Sequence, residues 1–263
     1  MSRLFRRYFS WLLWLWPCCY CLAQDVSLAY GDQAFPPYQM GQGRLTDIEP
    51  GLAIDVVLQT AQMLGIQVKL QRMPVKRLLH ELELERLDGA IGYSFTVDRA
   101  EYLAYPPISQ DGTALPDPSF RLYRVSYYLF SRPDFIPHGL GHGLDGLKQY
   151  RIGVLKESAI AGILFQQGIP YEATRTAEQN LEKLKMGRLD LVVGPGEPTG
   201  RLLHSLGWQN EIRRSGESLL ERDYFLVFSK AFCQSRTSLC EQWWQLIRQH
   251  RDSIVKQRID LYP

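Results

Sequence analysis

Ser94, Thr96, Asp98 and Arg99 place two hydroxyls, a carboxylate and a guanidinium directly after a short apolar run, Leu87–Tyr93. Such a set can cradle a small anion. A guanidinium presents a planar fork that takes a carboxylate through two parallel hydrogen bonds, and it keeps its charge when buried. Thr96 is placed to cap a short helical turn over Asp98–Ala100, because its hydroxyl can accept a free backbone N–H. The plainer alternative pairs Arg99 with Asp98 or Glu101 on a surface loop, where an ion pair contributes little.

Other chemistry-bearing patterns carry less. Gly141-His142-Gly143-Leu144-Asp145-Gly146 fits G-x-G-x-x-G but precedes a strand-like run instead of leading from one into a helix, which excludes a dinucleotide turn. His138 and His142 lie in too much glycine for a helix to carry both, so this stretch reads as a surface loop. Glu81, Glu83 and Glu85 read as a solvated helix face beside Lys76 and Arg86, and Arg77 as a tie between that helix and a neighbour. His80-Glu81 lacks the second His of a zinc-protease helix, and no G-x-S-x-G elbow is present.

The run that delivers Arg99 belongs to an alternating pattern, which predicts an α/β fold. Asp25–Tyr30 reads as a strand, Gly51–Leu64 as an amphipathic helix and Ile66–Leu70 as a strand. Val75–Arg86 follows as a helix opened by Pro74, and Leu87–Tyr93 as a strand ending near Gly92. These βα units feed one sheet with parallel strands and right-handed crossovers. Prolines keep F-P-P-Y out of any helix and leave Phe35 and Tyr38 as loop aromatics. After an irregular connector, Pro106–Arg121, a second set begins. Its strands are expected at 122–131, 150–155, 171–174, 189–193 and 224–229, and its helices at 158–167, 177–187, 199–206 and 240–257. L-D-G-A-I-G at 87–92 and L-D-L-V-V-G at 189–194 are alike. Two halves built this way face each other across a cleft at their strand ends, where open α/β sheets bind ligands.

Met1–Ala23 has the form of a cleaved signal peptide: Arg3, Arg6 and Arg7, an apolar core over Phe9–Trp16, then small residues before Gln24. Its removal takes three arginines and no acid, so the formal charge moves from +2 to −1. No basic excess remains to suggest nucleic acid as a partner. Of the five cysteines only Cys233 and Cys240 stay, and in an oxidising compartment they are expected to pair and staple the start of the last helix.

The segments F-P-P-Y, G-L-A-I-D-V-V, S-F-T-V-D-R-A-E-Y-L-A-Y-P-P, L-K-Q-Y-R-I-G-V-L-K-E-S and G-R-L-D-L-V-V-G occur in an order and spacing that resemble the bacterial periplasmic solute-binding proteins of extracellular family 3, the amino-acid-binding type. The resemblance covers nearly the whole chain after the leader. It implies a type II periplasmic-binding fold of two lobes, each a mainly parallel sheet flanked by helices, joined by a two-strand hinge. Lobe 1 would be 24–108 with 224–263, and lobe 2 the inserted 109–223, with hinge crossings near Pro106–Gln110 and Glu221–Tyr224. By motif position, Arg99 would hold the ligand carboxylate with Ser94 and Thr96 helping. Phe35 and Tyr38 would line the pocket, Asp32 would stand near a side-chain contact, and Ser158 would meet the ligand from lobe 2.

The chain departs from the family in three places: Glu157 where Gly is usual, Val75 where Trp is frequent, and Gly194-Pro195-Gly196-Glu197 where many members place an ammonium-binding Asp. Glu197 is the substitute on offer, from a shifted position. The resemblance therefore implies capture of a small carboxylate, an amino acid or a relative, by hinge closure, and its presentation to an inner-membrane ABC permease or a sensor. The protein would be a periplasmic monomer without cofactor. Two alternatives stay open: a dehydratase-like enzyme on the same fold, for which Glu197 and Glu157 are the candidate acids, and a ligand-free sensor or interaction module.

Overall fold

A computed structural model of the chain describes residues 24–44, 48–138, 144–156 and 158–262. Residues 1–23, the expected leader, as well as Glu157 and His142, lie outside the described residues.

The first half of the chain forms β1 (Gln24–Gly31), α1 (Leu52–Met63), β2 (Ile66–Met73), α2 (Val75–Glu83), β3 (Gly89–Ser94), a short α3 (Val97–Ala100) and β4 (Leu103–Ala104). Next come β5 (Tyr123–Ser131), β6 (Ile152–Leu155), α4 (Ala159–Gln166), β7 (Glu172–Thr174), α5 (Ala177–Lys185), β8 (Leu191–Pro195) and α6 (Gly196–Leu206). The chain closes with β9 (Arg213–Ser229), α7 (Lys230–Ser235) and α8 (Thr237–Arg258). Among the described residues nine strands form one sheet in the order β2-β1-β3-β9-β5-β8-β6-β7, with β4 paired to β9. β1 lies parallel to β2 and β3, and β6 lies parallel to β7 and β8. The two parallel groups are joined through antiparallel β5 and β9, so the expected two-lobe α/β architecture with a two-strand hinge is present.

β9 is the main departure from the sequence reading. It runs for 17 residues, whereas its sequence pattern predicts only 224–229. Its N-terminal half, R-R-S-G-E-S-L-L-E-R-D, is charged and exposed and lacks the apolar alternation by which strands are recognised. The half is held instead by backbone pairing to β5, with a register shift between Tyr127 and Leu129 opposite the stretch that contains Gly216, whose φ is 71°. There one residue of β5, Tyr128, stands opposite four of β9, 216–219, so the ladder is interrupted.

The first lobe's core is built where α1 packs on α8. Trp243 is fully buried and donates Nε1–H to Thr60 Oγ1 at 3.0 Å, while Trp244 Nε1 donates to Leu226 O at 2.9 Å. Both indoles are thus buried with their one polar atom satisfied. The C-terminus folds back onto α1, where buried Asp55 accepts from Arg258 Nε at 2.8 Å and from Tyr262 Oη at 2.6 Å. Cys233 of α7 and Cys240 of α8 form the expected disulfide. The connector 106–121 also lies against α8: Arg251 Nη1 donates to Ser119 O at 3.2 Å and Arg121 O at 2.8 Å. A smaller apolar cluster in the second lobe gathers Phe130, Leu181, Leu184, Val192 and Leu203.

The two Leu-Asp repeats perform one task twice. Asp88 N donates to Ser27 O at 3.1 Å, and its carboxylate accepts from Ser27 N at 2.7 Å, tying the start of β3 to β1. In the other lobe Asp190 N donates to Arg151 O at 2.9 Å, and its carboxylate accepts from Arg151 N at 2.9 Å, tying the start of β8 beside β6.

Candidate functional site

β3 ends in Ser94, whose side chain is fully buried, and bulges between Ile91 and Tyr93. Gly92 makes the bulge possible. Its φ is 82°, and a Cβ there would stand 2.6 Å from Gln39 Nε2 and 2.7 Å from Tyr123 Oη. Only a residue without a side chain lets the Tyr123 hydroxyl approach so closely. Thr96 then caps α3, its Oγ1 accepting from Arg99 N at 3.3 Å. This cap directs the helical turn on which Arg99 sits. Arg99 Nη1 donates to Ser94 O at 3.2 Å and reaches Ser94 Oγ at 3.5 Å, and the guanidinium carbon lies 5.4 Å from the centre of the Tyr93 ring. The plainer surface-pair reading is not what forms: the guanidinium turns back to the strand end, and no ion pair of Arg99 with Asp98 or Glu101 occurs among the described residues.

Arg99, Ser94, Phe35 and Ser158 line one cavity of about 170 Å³ between the lobes. Ser158 comes from the second lobe. It caps α4, accepting from Ala161 N at 3.3 Å and donating to Leu155 O at 2.5 Å, so its hydroxyl is already engaged in holding that helix start. Val75 also borders the cavity.

The other candidates are placed differently. Thr96 acts through its cap and does not line the cavity. Asp32 lies between the lining residues Gly31 and Gln33 but is not itself one of them; its backbone carbonyl accepts from Arg72 Nη2 at 3.2 Å. Tyr38 stacks on Tyr123 with ring centres 4.0 Å apart, and Tyr123 stacks on Tyr224 at 4.9 Å. Tyr38 and Glu197 border a neighbouring cavity of about 230 Å³ together with Arg124, Tyr128 and Arg214. Glu197 stands in the first turn of α6 and is paired at 3.1 Å with Arg201, one turn along the same helix.

Four tyrosines that the sequence reading treats as strand residues also line the 170 Å³ cavity: Tyr93, Tyr123, Tyr127 and Tyr224. Tyr127 and Tyr224 share a short hydrogen bond between their hydroxyls. Burial raises the pKa of all four, so each phenol keeps its proton, and the nearby Arg99 charge opposes that rise at Tyr93, Tyr127 and Tyr224. The Tyr93 hydroxyl is buried with no hydrogen-bond partner among the described residues. The signal for these residues is a register argument: Tyr123 and Tyr127 share one face of β5, and Tyr224 pairs opposite Tyr123. The opposite face carries charge instead. There Arg124 donates to Asp223 Oδ1 at 2.8 Å and Oδ2 at 3.0 Å, and Ser126 donates to Glu221 Oε1 at 3.0 Å.

Two lobes joined by a two-strand ribbon, with a cavity at the crossing, define the fold of the periplasmic binding proteins. Similarity to solved structures agrees. A histidine kinase sensor domain with similarity to periplasmic binding proteins superposes with a TM-score of 0.69 at 17% identity, covering 90% of this chain and 94% of that one. A mutant of ArgBP from T. maritima gives 0.64 at 17% identity, covering 90% and 95%. The GluR0 ligand-binding core from Nostoc punctiforme, in complex with (L)-glutamate, gives 0.64 at 15% identity, covering 88% and 98%. No protein-family model and no curated protein sequence matches the chain.

Proposed function

We propose that this protein is an exported receptor that binds a small carboxylate between its lobes, closes on it by bending at the ribbon, and presents the closed form to an ABC permease or a sensor. The observation that carries this reading is the placement of Arg99 and Ser94 at one strand end, facing Ser158 of the other lobe across a single cavity. A ligand that touches both lobes stabilises the closed state over the open one by its differential contacts alone. We assign the carboxylate to Arg99 and Ser94, positioned by the Thr96 cap, and the apolar walls to Phe35 and the tyrosine stack that begins at Tyr38. Lobe 1 is taken as 24–108 with 224–263 and lobe 2 as 109–223. The contacts of 117–121 with α8 favour a first crossing nearer Leu122–Tyr123. Residues 1–23 are read as a cleaved leader and the location as periplasmic.

We read a binding protein and not an enzyme. The solved structures the chain resembles include an ArgBP and a ligand-binding core, and of the two acids a dehydratase could use, Glu197 borders the neighbouring cavity. The test is a thermal-shift screen of purified protein against amino acids and small carboxylates, followed by calorimetry on hits. Ligands that bind only the folded state raise the melting temperature. A hit that binds equally well to Arg99→Ala, or one that is converted to a new product, would sink the reading.

A further inference from the structure

Gln39, the residue after F-P-P-Y, lines the cavity of about 170 Å³ and is only 7% exposed. Its main chain is pinned to Phe35: Phe35 N donates to Gln39 O at 2.7 Å, and Gln39 N donates to Phe35 O at 3.0 Å. Its amide reaches the bulge in β3. There Nε2 donates to Ile91 O at 3.4 Å, and a Cβ on Gly92 would stand 2.6 Å from that nitrogen. This contact sets which way round the amide sits, because the reverse placement would press Oε1 against the Ile91 carbonyl oxygen. Oε1 is thus turned toward Gly31, a second lining residue, on which a Cβ would stand 3.7 Å away. It accepts no hydrogen bond among the described residues. The hydroxyls of the same cavity are already engaged, Ser158 with Leu155 O and Tyr127 with Tyr224.

Water can serve the Gln39 oxygen while the cleft stands open. A ligand that fills the cavity displaces that water, so it either replaces the hydrogen bond or strands a buried acceptor. A site built around such a group rejects analogues that lack the matching donor. We infer that Gln39 is a specificity-determining residue, its Oε1 accepting a hydrogen bond from an amino or hydroxyl group that the ligand carries besides its carboxylate. This assignment rests on the carboxylate site at Arg99 and Ser94 and deepens it.

The test titrates three sets of acids calorimetrically into the purified protein and into Gln39→Met, which keeps the side chain's length and removes its polar atoms. The sets are L-leucine, 2-hydroxy-4-methylpentanoate and 4-methylpentanoate; L-phenylalanine, 3-phenyllactate and 3-phenylpropanoate; and 4-aminobutanoate, 4-hydroxybutanoate and butanoate. In at least one set a donor-bearing member is expected to bind the unaltered protein at least about tenfold more tightly than the donor-free acid, a difference of about 1.4 kcal/mol. In Gln39→Met that gap should fall below about threefold, while the donor-free acid keeps its affinity and so reports that the variant is folded. No such gap in any set with the unaltered protein overturns the inference without recourse to a variant. Equal weakening of all members in Gln39→Met also overturns it, since a side chain that only supports the wall affects every ligand alike. In both cases, binding that is still lost in Arg99→Ala leaves the carboxylate site standing. Binding by no member, or binding indifferent to Arg99→Ala, overturns the inference together with the site on which it rests.

Discussion

Asp88 and Asp190 occupy matching places in the two lobes: each gives its N–H to the carbonyl of one residue, Ser27 within β1 or Arg151 just before β6, and takes that same residue's N–H on its carboxylate. From there the lobes diverge. β3 ends at Ser94 and leaves Phe95 and Thr96 before α3, and in that gap the chain turns Arg99 back toward the cleft. β8 ends at Pro195 and α6 begins with the next residue, so Glu197 emerges in a first helical turn, about 69% exposed, and is neutralised by Arg201. The tie at the strand start is duplicated, and the side chain that follows the strand end is not. Two residues of loop between strand and helix separate a strand end whose guanidinium lines the cavity from one whose carboxylate pairs along its own helix.

That contrast can be broken by substitution, with the largest effect expected at Arg99. Arg99→Ala should lower affinity by about 3–5 kcal/mol, because the ligand's carboxylate would be buried without its partner. Calorimetry with a carboxylate from the screen reads this directly, and a loss below tenfold would erase the distinction between the lobes. Removing the disulfide with Cys233→Ser and Cys240→Ser should cost the first lobe about 2–3 kcal/mol in urea denaturation and leave affinity unchanged, since the staple joins α7 to α8 away from the cavity. The paired aspartates should differ less. Asp88→Ala is expected to cost about 1–3 kcal/mol, since it strands two half-buried donors of Ser27 in β1. Asp190→Ala should cost about 1 kcal/mol or less, because its partner Arg151 is largely exposed to water. Hydrogen bonding to Arg151 holds the Asp190 carboxyl below its usual range, so this contribution is present at neutral pH and fades as acid protonates the group. Ser158→Ala should remove a helix cap worth about 1 kcal/mol and weaken binding only a few-fold. Glu197→Gln is the smallest: melting temperature and affinity should hardly move, and a large loss of affinity would assign Glu197 a part in recognition.

Much of this organisation is legible in the amino-acid order because it follows from local periodicity. α1, α2, α5 and the strands β1, β3, β6 and β8 announce themselves through apolar spacing and terminal glycines. Thr96 is legible as a cap because a hydroxyl before a helical run has few other uses, whereas Ser158, expected as the first residue of its helix, is its cap. The charged half of β9 is not, since its pairing is specified by β5 and not by its own residues. The tyrosine wall is hidden for a related reason: R-V-S-Y-Y-L-F-S reads as a buried strand, and only the register with β9 reveals that Tyr123, Tyr127 and Tyr224 share a face. Sequence distance alone does not place Glu197, because α6 starts at Gly196 and not at Thr199, the start its pattern predicts, and this puts the carboxylate in a first helical turn.

The ribbon of β5 and β9 carries this tyrosine face, so the joint of the molecule and the lining of its cavity are made from the same side chains. Opening angle and ligand fit therefore cannot be adjusted separately. A smaller ring at Tyr123 or Tyr224 would change at one stroke what the cleft holds and how far the lobes stand apart at rest, whereas a change confined to Arg124 or Asp223 on the reverse face would stiffen or slacken the joint and leave the shape of the binding surface as it is.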